Sequence, residues 1–148
     1  MKVEIWSDMA CPWCYIAKHR FGCALSQFEH RDQVGVIWRS YQLNPDAPLI
    51  SNKILNESLS QKHGLGLEEA VAMNDQMRRF GAQEGLSYDF DRARYGNSFD
   101  AHRLIHFARQ RGLQMTMEER LFRAYFTEGK ALGDLDTRRA CSGGRHQC

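Results

Sequence analysis

The sequence predicts an α/β fold in which an N-terminal βαβ unit is followed by a large all-helical region. Apolar and polar residues alternate over 3–6, as in a short strand, and a second β-type segment covers 34–41. Between them, apolar residues recur at helical spacing from Pro12 to about Glu29. The sequence contains no Val or Ile after Ile105, and because strands are rich in β-branched residues, no third strand is predicted.

The first helix joins the two strands and determines how they pair. Pro12 suits the first helical turn, where a missing N–H costs nothing. A helical crossover of this length allows the two strands to run parallel in one sheet. Asn44-Pro45 and Pro48 end the second strand, because proline cannot donate to a sheet ladder. A sheet of only two strands is marginal in water, so this unit needs further cover.

The chain from residue 51 to residue 136 is predicted to be helical. A stripe of apolar residues that includes Met73, Met77 and Phe80 is interpreted as core, and its helix ends at Gly85. The other helix boundaries are predicted from capping residues and glycines. They give a helix from Ser51 to Lys62, a helix over 101–108 stopped at Gly112, a helix from the capping-box match at Thr116 to about Glu128, and a short helix capped by Asp134.

These patterns divide the chain into three segments. Residues 1–48 hold the βαβ unit, residues 49–136 form a helical insertion domain, and residues 137–148 are predicted to be a disordered tail. The net charge of +2 is too small to indicate nucleic-acid binding. No segment has the apolar length of a membrane span or the pattern of a signal peptide. The sequence therefore predicts a cytoplasmic protein.

The first helix begins at two cysteines, Cys11 and Cys14, which are separated by Pro12 and Trp13. Unpaired N–H groups at a helix N-terminus stabilise a thiolate, and such thiols have pKa values of roughly 3.5–7.5 instead of roughly 8.5. The spacing therefore predicts a redox-active disulfide. Cys11, at the exposed end, is the predicted nucleophile, and Cys14, one turn further in, is the predicted resolving thiol. Pro12 and Trp13 are expected to adjust the redox balance through rigidity and shielding.

The sequence gives less support to other roles for its five cysteines. An odd number of cysteines without a secretion signal argues against a framework of structural disulfides. A zinc site would need a second pair of ligands, and Cys141 and Cys148, with His146 between them, lack the usual spacing, so no metal is predicted. Cys23 lies inside the first helix and is predicted to be a small buried residue.

Three stretches resemble the DsbA family of thioredoxin-fold oxidoreductases: residues 7–16 around the cysteine pair, residues 38–45 after the second strand, and residues 97–103 at the start of a helix. The branch that the sequence looks most like is the FrnE-like one, near the 2-hydroxychromene-2-carboxylate isomerases. The resemblance implies a thioredoxin-like fold with a helical insertion after the second strand. It also implies a thiol–disulfide oxidoreductase or isomerase that works by dithiol–disulfide exchange.

The resemblance also implies roles for single residues. Cys11 resembles the family's nucleophile and Cys14 its resolving cysteine, while Asn97 and His102 resemble positions near the active-site cleft. From the residues alone, Asn97 is equally well a turn residue and His102 a polar residue on an amphipathic helix. The implied partners are thiol or disulfide proteins or small thiols, with glutathione as an optional co-substrate and with no metal or nucleotide cofactor, nucleic acid or membrane.

The sequence departs from the family in its last third. Family members return from the insertion to two strands and a cis-proline loop that faces the cysteines, whereas the three prolines here are Pro12, Pro45 and Pro48. The expectation is an incomplete thioredoxin-like fold, truncated or frame-shifted at its C-terminus, with residues 137–148 as a foreign tail.

Two other functions stay open at this point. One is a glutathione-dependent isomerase or transferase on the same fold, for which a second cysteine is unnecessary. The other is a helical interaction module with a vestigial redox motif. In that case a second copy of the chain, in a homodimer, would cover the apolar face and the free edge of the sheet.

Overall fold

The structure, a computed structural model, describes residues 1–143. This part of the chain contains two strands, six α-helices and one short 3-10 helix, and the predicted α/β class is confirmed. The elements in chain order are β1 (Lys2–Ser7), α1 (Pro12–Gln27), the 3-10 helix (Arg31–Gln33), β2 (Gly35–Ser40), α2 (Leu55–His63), α3 (Leu67–Gln83), α4 (Phe99–Arg109), α5 (Gln114–Phe126) and α6 (Leu135–Gly143).

The two strands pair in parallel, as the helical crossover predicted. Their register runs from Lys2 opposite Gly35 to Ser7 opposite Ser40. Within residues 1–143 these strands make up the whole sheet, apart from one isolated antiparallel bridge in a loop. The parallel arrangement brings the C-terminal ends of both strands to one edge, where the cysteine pair follows β1.

The core lies where the start of α1 packs against α5. Tyr15 stacks on Phe122 with ring centroids 4.6 Å apart, and Phe126 lies beside both rings. All three side chains are buried. Because each buried aromatic residue removes about 150–250 Å² of surface from water, this cluster anchors the first turns of α1.

Two predicted helix starts are wrong. The helix expected to begin at Ser51 begins at Leu55, because the Glu57 carboxylate accepts a hydrogen bond from the backbone N–H of Ile54 at 3.2 Å and closes the first turn there. The helix expected to begin at Thr116 begins at Gln114, directly after the left-handed turn at Gly112, which has a φ of 72°. A glycine adopts this φ without steric cost.

The apolar stripe on α3 is only partly core. Met77 and Phe80 are half-buried and pack against the core, but Met73 is exposed. The buried positions on α3 are Ala70, Asn74 and Gly81. Asn74 is held there by a hydrogen bond to an asparagine of α2.

The prediction of a disordered tail is wrong for residues 137–143, which belong to α6. Asp134 caps this helix, as predicted, because its carboxylate accepts hydrogen bonds from the backbone N–H and the hydroxyl of Thr137 at 2.9 and 2.8 Å. Arg138 pairs with Asp100 of α4, and the Cys141 side chain is buried. Residues 144–148, with His146 and Cys148, lie outside the described residues, so the rest of the predicted tail and the zinc alternative are not described.

Candidate active site

The predicted redox motif lies at the junction between β1 and α1. Cys11 is the residue before the helix and has an extended backbone, and Pro12 occupies the first helical position. The backbone N–H of Cys11 donates to the carbonyl oxygen of Asp8, and that of Cys14 donates to the carbonyl oxygen of Cys11, each at 3.1 Å. Both thiols are half-buried. The turn therefore places the two side chains together at the N-terminus of α1.

The two thiols ionise as a pair. A hydrogen bond from the thiol of Cys11 lowers the pKa of Cys14 to about 6, and the same hydrogen bond, together with burial, raises the pKa of Cys11. The N–H groups of Trp13 and Cys14 act in the opposite direction and favour an anion on Cys11. Because the ionisation of one thiol affects the other, the first ionisation belongs to the pair.

The groups around the thiols come from three parts of the chain. The backbone N–H of Asp8 and the buried hydroxyl of Ser7 lower the pKa of Cys14. The Tyr88 hydroxyl donates to the carbonyl oxygen of Pro12 at 2.7 Å. The Trp13 ring, 48% exposed, lies 5.4 Å from the ring of Phe80 on α3. The polar groups of Ser7 and Asp8 therefore act on Cys14, and the Trp13 ring covers the exposed side of the motif.

Asp8 is a site residue that sequence reasoning missed. Its side chain is 2% exposed, and its Oδ1 accepts from the backbone N–H of Ala10 at 3.2 Å, while its Oδ2 accepts from that of Leu43 at 2.7 Å. Burial by itself would raise the pKa of Asp8, but hydrogen bonds from His102, Ser98 and the two N–H groups outweigh it and lower the pKa. The available signal was an acidic residue in the short turn between a strand and the cysteine pair.

His102 is buried on α4 and is connected to the cysteines through Asp8. Its Nε2 lies 3.3 Å from Asp8 Oδ1, and only 5% of the residue is exposed. The sequence placed His102 near the active-site cleft, and the structure brings it to the carboxylate beneath the motif. No hydrogen bond joins His102 to either sulfur among the described residues.

Asn97 organises a loop. Its amide nitrogen donates to the carbonyl oxygens of Pro45 and Ala47 at 2.8 and 3.1 Å. Its amide oxygen accepts from the Gln42 side chain at 3.0 Å and from the backbone N–H of Phe99 at 2.7 Å. These four bonds use the whole hydrogen-bonding capacity of the amide. Asn97 therefore clamps the loop after β2 to the start of α4, and the structure does not bring it into contact with the cysteines.

A second buried acidic group lies between α1, α4 and α5. The Glu118 carboxyl is 2% exposed, and burial raises its pKa to about 7, although Lys18, Gln114 and His102 act to lower it. One of its oxygens accepts from Gln114 at 3.1 Å, and the other has no hydrogen-bond partner among the described residues. Nearby, the buried Lys18 ammonium pairs with Glu119 at 2.9 Å. Sequence reasoning placed Glu118 only within the capping-box match that begins at Thr116 and missed this cluster.

Cys23 and Cys141, the other two described cysteines, are separate from the pair. Cys23 is exposed, contrary to prediction, because the C-terminal half of α1 extends beyond the core, whose buried positions on this helix end at Lys18. Burial raises the pKa of Cys141. Within residues 1–143 no three His, Cys, Asp or Glu side chains are grouped to hold a metal ion, and no described helix has the apolar length to cross a bilayer.

The comparisons with known proteins agree with this architecture. Residues 2–143 match the DSBA-like thioredoxin domain family. A crystal structure described as a probable DsbA oxidoreductase from Streptomyces coelicolor superposes with a TM-score of 0.89 at 37% identity, over 95% of this chain and 61% of that one. The chain therefore spans about three-fifths of the length of that relative. No curated protein sequence matches the chain.

A more distant structure shares the fold. The cytosolic disulfide reductase DsbM from Pseudomonas aeruginosa superposes with a TM-score of 0.58 at 15% identity, over 97% of this chain and 71% of that protein. The predicted thioredoxin-like fold with a helical insertion is confirmed, while the FrnE-like branch stays a prediction. The βαβ unit, the helices after it and the match over residues 2–143 lead to one conclusion: the chain belongs to the DSBA-like thioredoxin domain family.

Proposed function

We propose that this protein is a thiol–disulfide oxidoreductase that works by exchange through Cys11 and Cys14. The observation that carries the proposal is the placement of Cys11 and Cys14 together at the N-terminus of α1, where Cys14 has a pKa of about 6. A thiolate is the attacking species in disulfide exchange, and a thiol whose pKa lies near the ambient pH attacks most effectively. Membership in the DSBA-like thioredoxin domain family supports the same chemistry.

The proposed reduction of a substrate disulfide proceeds in two steps. A proton passes from Cys11 to the Cys14 thiolate, and the Cys11 thiolate attacks one substrate sulfur, so that a mixed disulfide forms and the substrate's other sulfur leaves as a thiolate. Cys14 then loses its proton and attacks the sulfur of Cys11. The Cys11–Cys14 disulfide forms, the second substrate sulfur is released, and two electrons have passed from the protein to the substrate. Oxidation of a substrate dithiol is the reverse sequence.

The surroundings of the pair support a role for Cys11 as the outer thiol. Cys11 precedes the helix, and the N–H groups of the first turn favour an anion there. Cys14 is flanked by the inner groups Ser7 and Asp8. The exposed face of Trp13 gives an incoming thiol or disulfide an apolar contact beside the sulfur. Protein thiols, small thiols and glutathione are the proposed substrates, and the sulfur atoms account for all the electrons transferred.

The experiment measures reduction of a protein disulfide by the purified chain in the presence of a small thiol. We expect wild type to accelerate the reaction and Cys11→Ser to lose the acceleration. Cys23→Ser is the matched control, because Cys23 is an exposed cysteine on the same helix outside the motif. Wild-type rates in Cys11→Ser would overturn the proposal.

The order of attack has its own test. In Cys14→Ser the mixed disulfide on Cys11 has no internal thiol to resolve it, so the complex with a disulfide substrate should accumulate and be visible by intact mass. If the complex accumulates in Cys11→Ser instead, Cys14 is the attacking thiol and the roles are reversed.

A further inference from the structure

Asp8 has a position that the exchange steps leave unexplained. It is a buried, ionised carboxyl located three residues before Cys11, and it takes no part in electron transfer as proposed above. Removing a carboxylate from water is costly unless hydrogen bonds replace the lost solvation. Here the backbone N–H groups of Ala10 and Leu43 and the side chain of His102 supply those bonds.

The bonds of Asp8 join three parts of the chain at the cysteine pair. Its carbonyl oxygen accepts from the Cys11 N–H at 3.1 Å, and its carboxylate accepts from the Ala10 N–H, so the turn before the motif is braced twice. The bond from Leu43 ties this turn to the loop after β2. The bond from His102 ties it to α4. A change at Asp8 therefore changes the placement of Cys11 relative to both neighbours.

The negative charge of Asp8 also acts on the cysteine pair. It opposes an anion on Cys14, whereas the backbone N–H of the same residue supports one. The other titratable groups around this carboxylate are His102 on α4 and Tyr125 on α5, and Tyr88 lies near both sulfurs. Among the groups that act on Cys14, the thiol of Cys11 and the hydroxyl of Ser7 favour the thiolate.

We infer that Asp8 is a positioning residue of the site: its buried carboxylate fixes the turn before Cys11 against the loop after β2 and against His102. The inference rests on the proposed function, since it assigns a role in preparing the same two sulfurs for exchange.

The test compares Asp8→Asn with wild type by the rate of thiol alkylation as a function of pH. The neutral amide no longer opposes the anion, so we expect the midpoint to fall by at least about half a pH unit, which is about a threefold higher rate below the midpoint. Asp100→Asn, at the start of α4, is the matched control for the loss of one carboxylate and should leave the midpoint in place. A folded Asp8→Asn protein with the wild-type midpoint would show that Asp8 is only structural and overturn the inference.

A second pair of variants covers the case in which Asp8→Asn does not fold. His102→Leu and His102→Gln both lack the imidazole, but glutamine can still donate to Asp8. Without a donor, Asp8 takes up a proton more readily and opposes the Cys14 anion less. We therefore expect a lower midpoint in His102→Leu than in His102→Gln, and equal midpoints would contradict the inference.

Alkylation needs no disulfide substrate, so the two proposals fail separately. A chain that lacks disulfide reductase activity but shows the shift in Asp8→Asn would defeat the proposed function and leave the positioning of the thiols by Asp8 standing. An active chain whose alkylation midpoint is the same in wild type and in Asp8→Asn would support the proposed function and overturn the inference about Asp8.

Discussion

The Tyr88 hydroxyl donates a hydrogen bond to the carbonyl oxygen of Pro12 at 2.7 Å, and this bond holds the first turn of α1 against the segment after α3. The carbonyl lies inside the motif, between the two cysteines. The Tyr88 ring also packs on Phe126, with ring centroids 5.1 Å apart. A single residue thus connects the aromatic core to the backbone of the redox motif.

Replacement of Tyr88 by phenylalanine keeps the ring and removes this bond. We expect a loss of about 1 kcal/mol in the free energy of unfolding, because the carbonyl loses a buried partner. Urea unfolding followed by circular dichroism measures the change. Tyr41→Phe, at an exposed tyrosine, is the control and should leave stability unchanged. Equal stabilities of wild type and Tyr88→Phe would show that water replaces the bond without cost.

The first ionisation of the cysteine pair depends on the proton donated by Cys11. In wild type, ultraviolet absorbance should detect one thiolate that forms with a pKa of about 6. In Cys11→Ala the S–H donor is lost, so the pKa of Cys14 should rise and the pH at which the thiolate forms should increase. An unchanged titration in Cys11→Ala would mean that the backbone N–H and Ser7 alone stabilise the anion.

Glu118 should make stability decrease with rising pH. Its folded-state pKa of about 7 lies above the ordinary value of 4.5, so the folded protein holds this proton more tightly than the unfolded chain. The contribution is complete below about pH 4.5 and is lost as pH rises to about 7, by about 2–3 kcal/mol. In Glu118→Gln, which keeps an acceptor for Gln114, the difference in urea midpoint between about pH 5 and about pH 8 should shrink. A pH profile identical to wild type would contradict the raised pKa.

The stack of Tyr15 on Phe122 should contribute strongly to stability. Phe122→Ala removes a fully buried ring and leaves a cavity, and we expect a loss of about 3–5 kcal/mol in the free energy of unfolding. Phe99→Ala, at a phenylalanine that is 56% exposed, should cost about 0.5 kcal/mol or less. Thermal and urea unfolding of both variants measure the contrast. Similar losses in the two variants would mean that α5 does not anchor α1.

The cap of α6 should protect Cys141. Asp134→Ala removes the acceptor for both bonds from Thr137 and should weaken the helix by about 1 kcal/mol. Alkylation of Cys141, measured by peptide mass, should then be faster than in wild type. Asp136→Ala is the control, since that carboxylate is almost fully exposed and lies in the same turn. An alkylation rate in Asp134→Ala equal to that of wild type would show that packing alone holds α6 in place.

Much of the fold can be predicted from local sequence patterns. The strand, helix and strand at the N-terminus are predicted because alternation and helical spacing are properties of neighbouring residues, and their parallel pairing is expected from the length of the crossover. The errors arise where tertiary contacts decide. Met73 belongs to an apolar stripe but is exposed, whereas the buried residues of α3 are Ala70, Asn74 and Gly81. Cys23 is exposed because the described core stops short of its end of α1.

The candidate site also contains some residues that local spacing predicts and others that only the tertiary structure brings together. Cys11 and Cys14 are recognisable from their spacing, since both lie in one helical turn and their chemistry needs only each other. Asp8 and Glu118 are not, because they come from separate parts of the chain, and His102 is recognised only through the family resemblance. Asn97 resembled a cleft residue, yet its amide is fully used in holding a loop.

By itself, the sequence determined the βαβ unit, the helical character of the chain beyond that unit and the cysteine pair at a helix start. Each follows from the spacing of residues that are close in the chain. Only the tertiary structure decided which acid lies beneath the pair, because the 3.3 Å contact between Asp8 and His102 joins residues that are 94 positions apart. Hydrogen bonding and burial at such a distance are set by how helices pack, and local spacing carries no record of that packing.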